Sequence, residues 1–114
     1  MSADERFRVA ARPGRERLIL ELQGELDMAS ADLLGDALAG ANLANSDAVV
    51  LDLGGVSFAD STGLKAIFRV RKLVNEGGRK FAVTRGSPQV QRLLGLTRLD
   101  EHLQTLQTPD DELD

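Results

Sequence analysis

Residues Phe58-Ala59-Asp60-Ser61-Thr62-Gly63-Leu64 place a carboxylate, two hydroxyls and a glycine in succession, directly ahead of an apolar-periodic segment. At the start of a helix Asp60 can accept from the backbone amides of Thr62 or Gly63, as an N-cap residue does. Ser61 then falls on the first helical turn, at the C-terminal end of a strand, where open α/β sheets display functional groups. A phosphate carried at that point would face free helix N–H groups and the positive end of the helix dipole. The same Asp-Ser-Thr-Gly run is also an ordinary capping motif, and local spacing leaves both readings open. A second carboxylate, Asp27 of Gly24-Glu25-Leu26-Asp27, also precedes a helical pattern, and capping alone accounts for it.

Other chemistries lack parts. The 114 residues contain no Cys and one His, which removes thiol nucleophiles, disulfides and zinc–thiolate sites and leaves no His cluster for a metal. A Ser-His-Asp triad would depend wholly on His102, which has no second catalytic partner in the pattern. Gly54-Gly55 is not the G-x-x-x-x-G-K of a phosphate loop. The expectation is therefore a non-enzyme with no metal and no cofactor. A formal net charge of −4 counts against binding nucleic acid by phosphate neutralisation. No apolar run approaches the roughly 20 residues that cross a bilayer, and the start MSADERFRVA has no signal-like apolar core. A cytoplasmic protein without membrane contact is expected.

The elements that must position Asp60 and Ser61 follow from periodicity. Residues 7–12 and 17–23 read as two strands of a hairpin around Pro13-Gly14-Arg15. In the second, Leu18, Leu20 and Leu22 alternate with Ile19, Glu21 and Gln23, which implies a sheet with one covered face. Leu34, Ala37, Leu38 and Ala41 give a helix over about 30–43, capped by Ser30 or Asp27 and weakened by Gly35 and Gly40. Residues 48–53 are apolar and β-branched, as in a central strand, and Gly54-Gly55 closes them. From Asp60 a second helix carries Leu64, Ile67, Val70 and Val74 on one stripe and stops at Gly77-Gly78. Residues 80–84 form a further strand, Ser87-Pro88 opens a third helix ending near Gly95, and 103–106 can add an edge strand. The βαβ unit over 48–84 requires parallel pairing. The fold class is α/β: a mixed sheet of four to five strands with helices packed on one face. One domain over 1–108 is expected, with 109–114 an acidic flexible tail too short to pack.

The stretch LDLGGVSFADSTGLKAIF resembles the signature of the STAS domain family, in particular its bacterial anti-sigma factor antagonists. LQGELDMASADLL is similar to the family's Gly-Glu-Leu-Asp turn, and SPQVQRLLGLTRLDEHL to its C-terminal helix. In the family's order these cover roughly residues 7–107. The resemblance implies a phosphoprotein of a partner-switching signalling system that regulates transcription. In its unphosphorylated form it binds an anti-sigma factor with serine kinase activity, so the sigma factor is released. The kinase then phosphorylates the Ser after the Asp, here Ser61, and a serine phosphatase restores it. Thr62 is a lower-ranked acceptor, and Asp27, Asp60 and Gly63 are expected beside the phosphosite. Lys65 departs from the Gly that often follows Leu in the family, and so bears on which kinase binds. The alternative is an unphosphorylated STAS scaffold subunit of a transporter or signalling assembly. Lys65, Arg69 and Lys72 lie at i, i+4 and i+7, a basic stripe that is either a solvated face or a docking strip for an acidic surface. Leu64, Lys65, Arg69 and Lys72 are the expected partner contacts, on a monomer.

Overall fold

The computed structural model describes residues 6–14 and 16–114. The first five residues and Arg15 of the expected turn lie outside the described residues. Strand β1 (Phe7–Gly14) pairs antiparallel with β2 (Arg17–Leu26). There follow α1 (Ala31–Ala39), β3 (Ala48–Ala59), α2 (Ser61–Glu76), β4 (Lys80–Thr84), α3 (Pro88–Thr97), a 3₁₀ turn (Leu99–His102) and β5 (Thr105–Leu106). The five strands lie in the order β1-β2-β3-β4-β5, and every pair after the first is parallel. Each parallel step is bridged by a helix, because a parallel neighbour cannot be reached by a tight turn.

The three helices bury one face of the sheet. Leu20, Leu22, Leu51 and Leu53 from the strands meet Leu34, Ile67, Val70 and Leu94 from α1, α2 and α3 in one apolar cluster. This is the arrangement the period-two alternation of β2 and the stripe on α2 demand.

The opposite face is covered as well, by a cluster that local periodicity does not reveal. Ile19, Val50, Ala82 and Leu106 form a second, smaller cluster, and Leu113 packs against it. The segment after Pro109 therefore packs instead of fraying. Arg17 Nη1 donates to the carbonyl oxygens of Pro109 at 2.9 Å and Asp111 at 2.6 Å, and Arg12 pairs with Asp110 at 3.3 Å. The Asp111 carboxylate accepts from the amides of Gln107 and Thr108 and from the Thr108 hydroxyl. The Thr108 bonds hold its carboxyl below the usual carboxylate range. The acidic composition hides this role, because the tail is held by its backbone carbonyls, one aliphatic side chain and a self-capped turn.

Two boundaries move, each for a physical reason. β3 does not stop at Gly54-Gly55; it runs on to Ala59 beside a β2 that itself continues to Leu26. Register shifts between Glu21 and Gln23 and between Gly24 and Glu25 insert extra residues on the β3 side, so its buried positions Leu53, Val56 and Ala59 recur every three residues. A bulged strand loses the period of two by which strands are recognised. Helix α1 ends at Ala39 with Gly40 as its C-cap, well short of residue 43, because glycine is a poor helix interior.

Candidate functional site

The extended β2 and β3 end side by side, with Leu26 opposite Ala59, and the residues singled out above meet at that end of the sheet. Asp60 is the N-cap of α2, with extended backbone at φ −108° and ψ −175°. One carboxylate oxygen, Oδ1, accepts from Gly63 N at 2.8 Å; the other, Oδ2, accepts from Met28 N at 3.2 Å. Its own amide donates to Leu26 O at 3.2 Å. Asp60 thus fastens the start of α2 to the β2–α1 turn as well as capping the helix.

That turn is fixed from within. The Ser30 hydroxyl accepts from Asp27 N at 3.0 Å and donates to Glu25 O at 2.7 Å. Ser30 is buried, and it serves the turn without making a side-chain cap bond to α1. Asp27 Oδ1 accepts from Ala29 N at 3.0 Å. Asp27 therefore stands at the same end of the sheet as Asp60, one residue before the amide that Asp60 holds.

Gly63 sets how closely α2 approaches. A Cβ at this position would overlap Leu26 O, so only glycine lets the first helical turn lie directly on the end of β2. On the other flank β4 stops at Thr84, leaving the edge of β3 beyond Leu51 without a strand neighbour. Side chains replace it. Thr84 Oγ1 accepts from Leu53 N at 2.9 Å and donates to Asp52 Oδ1 at 2.8 Å. The Gln89 carboxamide accepts from Ala59 N at 2.9 Å and donates to Ala59 O at 2.8 Å, and Ser87 Oγ donates to Ser57 O at 3.0 Å. These bonds satisfy backbone groups that would otherwise be orphaned and hold the residues just before Ser61 in place.

Ser61 itself is exposed on the first turn, and Thr62 is half-buried. No acidic residue follows within that turn, so Asp60 is the one carboxylate that this 16-residue helix itself sets at its positive end. Lys65, Arg69 and Lys72 are exposed. Leu64 is not: at 2% exposure it belongs to the main core. This corrects its place among the partner contacts, since it shares the buried stripe of Ile67, Val70 and Val74. Phe68 packs partly buried against the core, and His102 is exposed in the 3₁₀ turn. Among the described residues no three acidic or imidazole side chains converge as metal ligands, and no helix is long and apolar enough to cross a membrane.

Thr84 and Gln89 are not among the residues that the sequence singles out, and Ser30, expected as a cap of α1, holds the turn instead. A Ser three residues after Asp27 was a readable turn signal. Thr84 and Gln89 act on backbone groups about 30 residues away, which no local pattern reveals.

A protein of Paenibacillus polymyxa named anti-sigma F factor antagonist is 36% identical over 83 residues, covering 72% of this chain and 71% of that protein. The anti-sigma-F factor antagonist RsfB of Mycobacterium tuberculosis is 29% identical over 113 residues, 99% of this chain and 92% of that one. The crystal structure of an anti-sigma factor antagonist from Mycobacterium paratuberculosis superposes with a TM-score of 0.77 at 25% identity, covering 97% of this chain and 94% of that chain. The model of the STAS domain matches residues 7–112, nearly the whole sequence and every strand and helix that builds the Ser61 end of the sheet, and the chain belongs to the STAS domain family.

Proposed function

We propose that this chain is an anti-sigma factor antagonist, switched by phosphorylation of Ser61. One observation carries the reading: Ser61 is the exposed residue of a helix N-terminus whose preceding carboxylate is already committed to Gly63 N and Met28 N. The hydroxyl is thereby presented to a partner at a helix start that two backbone bonds to Asp60 hold in place. Curated relatives named anti-sigma factor antagonists support the role.

In this reading the unphosphorylated chain captures an anti-sigma factor that is also a serine kinase, and the sigma factor is released. The kinase binds ATP, and the γ-phosphoryl group passes to Ser61 Oγ with loss of the hydroxyl proton and release of ADP. The product carries about −1.5 to −2 charges at neutral pH. Within the chain those charges gain the helix N-terminus, so the fold survives. In the complex, the phosphate adds to the negative potential of Asp60 and Asp27, and it must be desolvated against a surface shaped for a hydroxyl, which is costly when unpaired. Binding weakens, and a serine phosphatase resets the cycle. The partner is expected to touch Lys65, Arg69 and Lys72 along α2.

Phosphopeptide mapping after incubation with the cognate kinase and ATP tests the assignment. Modification at Ser61, absent from Ser61→Ala, is the expected result. Modification confined to Thr62 would contradict the switch, and no modification at all would favour an unphosphorylated scaffold role.

A further inference from the structure

Helices α1 and α2 do not close fully on each other. Between them runs a groove of about 330 Å³, floored by Ala31, Gly35 and Ala66. One wall carries Asp32 and Asp36 of α1, the other Arg69 of α2, and half-exposed Leu73 stands at its far end. All three charged residues are exposed. Although the walls are of opposite sign, no ion pair spans them: among the described residues the salt bridges are those of Arg12. The three charged groups therefore line a floor of small side chains without pairing to one another. The groove also begins at the Ser61 end of the molecule. Ala31 follows the Asp27–Ser30 turn and donates its amide to Asp27 O at 2.8 Å, and the same turn is bonded to Asp60 through Met28 N.

We infer that this groove receives an amphipathic helix of the anti-sigma factor partner. The inference rests on the reading of Ser61 given above and adds to it a second contact and the chemistry of its occupant. That helix places small or aliphatic side chains over Ala31, Gly35 and Ala66, basic groups against Asp32 and Asp36, and an acidic group against Arg69, the helix-in-groove mode of recognition. The volume lies at the bottom of the range of small-molecule pockets, and charges of both signs along facing walls suit a polypeptide with two charged edges. Apolar contact at the centre with charges at the rim is the usual anatomy of a protein interface.

Gly35 offers a clean test. A Cβ added there meets nothing within 4 Å and its backbone is not left-handed, so the side chain of Gly35→Leu starts into open space on the groove floor and replaces a poor helix former with a good one. The Tm should hold or rise. Titration calorimetry of the intact chain against a purified anti-sigma factor kinase that binds the wild type should show affinity reduced at least about ten-fold for Gly35→Leu, an order-of-magnitude loss for a blocked central contact. Asp36→Lys, on an exposed wall, should weaken binding in the same direction through charge alone. Wild-type affinity in both variants would overturn the groove and leave the Ser61 reading standing. Failure of the wild-type chain to bind any such kinase would overturn both. Self-association of the wild type in sedimentation, abolished by Gly35→Leu, would give the groove to a second copy of this chain and overturn the proposal.

Discussion

Replacing Asp60 with Ala removes two backbone hydrogen bonds at once, and their worth can be worked out separately. Loss of the bond from Gly63 N is loss of an N-cap, about 1 kcal/mol with a range of roughly 0.5–2. Loss of the bond from Met28 N, an amide donating to a carboxylate, costs a further ~1 kcal/mol, discounted for its 3.2 Å length and exposed surroundings. The sum is about 2 kcal/mol, which for a chain of this length lowers Tm by about 8 °C at roughly 4 °C per kcal/mol. Asp60→Asn separates the two parts. Its amide oxygen caps Gly63 as well as a carboxylate does, but its NH₂ cannot accept from Met28, so about half the loss is expected. Urea denaturation followed by circular dichroism reads both variants on one scale. Hydrogen exchange should show faster exchange at Met28 and Gly63 in Asp60→Ala, and at Met28 alone in Asp60→Asn. Equal stability of wild type and Asp60→Ala would refute the double role of this carboxylate, and equal losses in the two variants would refute its division.

Other perturbations have equally definite outcomes. Gly63→Ala forces a methyl into Leu26 O; the first turn of α2 must lift, at about 1–3 kcal/mol for overpacking, and amide chemical shifts at residues 60–64 should move together. Leu113→Ser should uncover the Ile19, Val50, Ala82 and Leu106 cluster and increase binding of a hydrophobic dye, and an unchanged signal would mean that the tail does not cover that face. The Asp111 carboxyl is depressed by its Thr108 bonds, so its contribution to tail docking is present above the ordinary carboxylate pKa and is lost as pH falls through the lower, folded value. Amide exchange of residues 107–113 should therefore accelerate only in strong acid. Reversing Lys65, Arg69 and Lys72 together should slow association with the kinase and reduce its salt dependence, with little change in Tm; unchanged kinetics would place the partner elsewhere.

Much of this molecule is legible in its sequence where period and local chemistry agree. Leu18, Leu20 and Leu22 announce a strand with one covered face; Ile67, Val70 and Val74 announce a buried helix stripe; Ser87-Pro88 marks the start of α3, where the Ser87 hydroxyl does accept from Val90 N. Asp60 as a cap and Ser61 on the first turn follow from the same local rules. What escapes is non-local. The bulged end of β3 carries Leu53, Val56 and Ala59 at a spacing neither strand nor helix uses. Gln89 and Thr84 substitute for a missing strand neighbour, a need that exists only once β4 is seen to be shorter than β3. Leu64 reads both as core and as contact, and only its burial decides for core. The tail reads as solvent-loving because five of its last six residues are not apolar and four of those are acidic, yet Arg12, Arg17 and Leu113 tie it to the sheet.

The central claim is that a phosphate on Ser61 weakens the hold on the partner without unfolding the chain. The direct measurement is the affinity of one purified kinase for two stoichiometric preparations, unmodified and phosphorylated at Ser61, with the Tm of each recorded alongside. Leaving a charge of this size buried and unpaired costs several kcal/mol, so the phosphorylated chain should bind at least about ten-fold more weakly, where ten-fold is about 1.4 kcal/mol, at a Tm close to that of the unmodified chain. Undiminished affinity of the phosphorylated chain, or weaker binding accompanied by loss of the fold, would contradict the account.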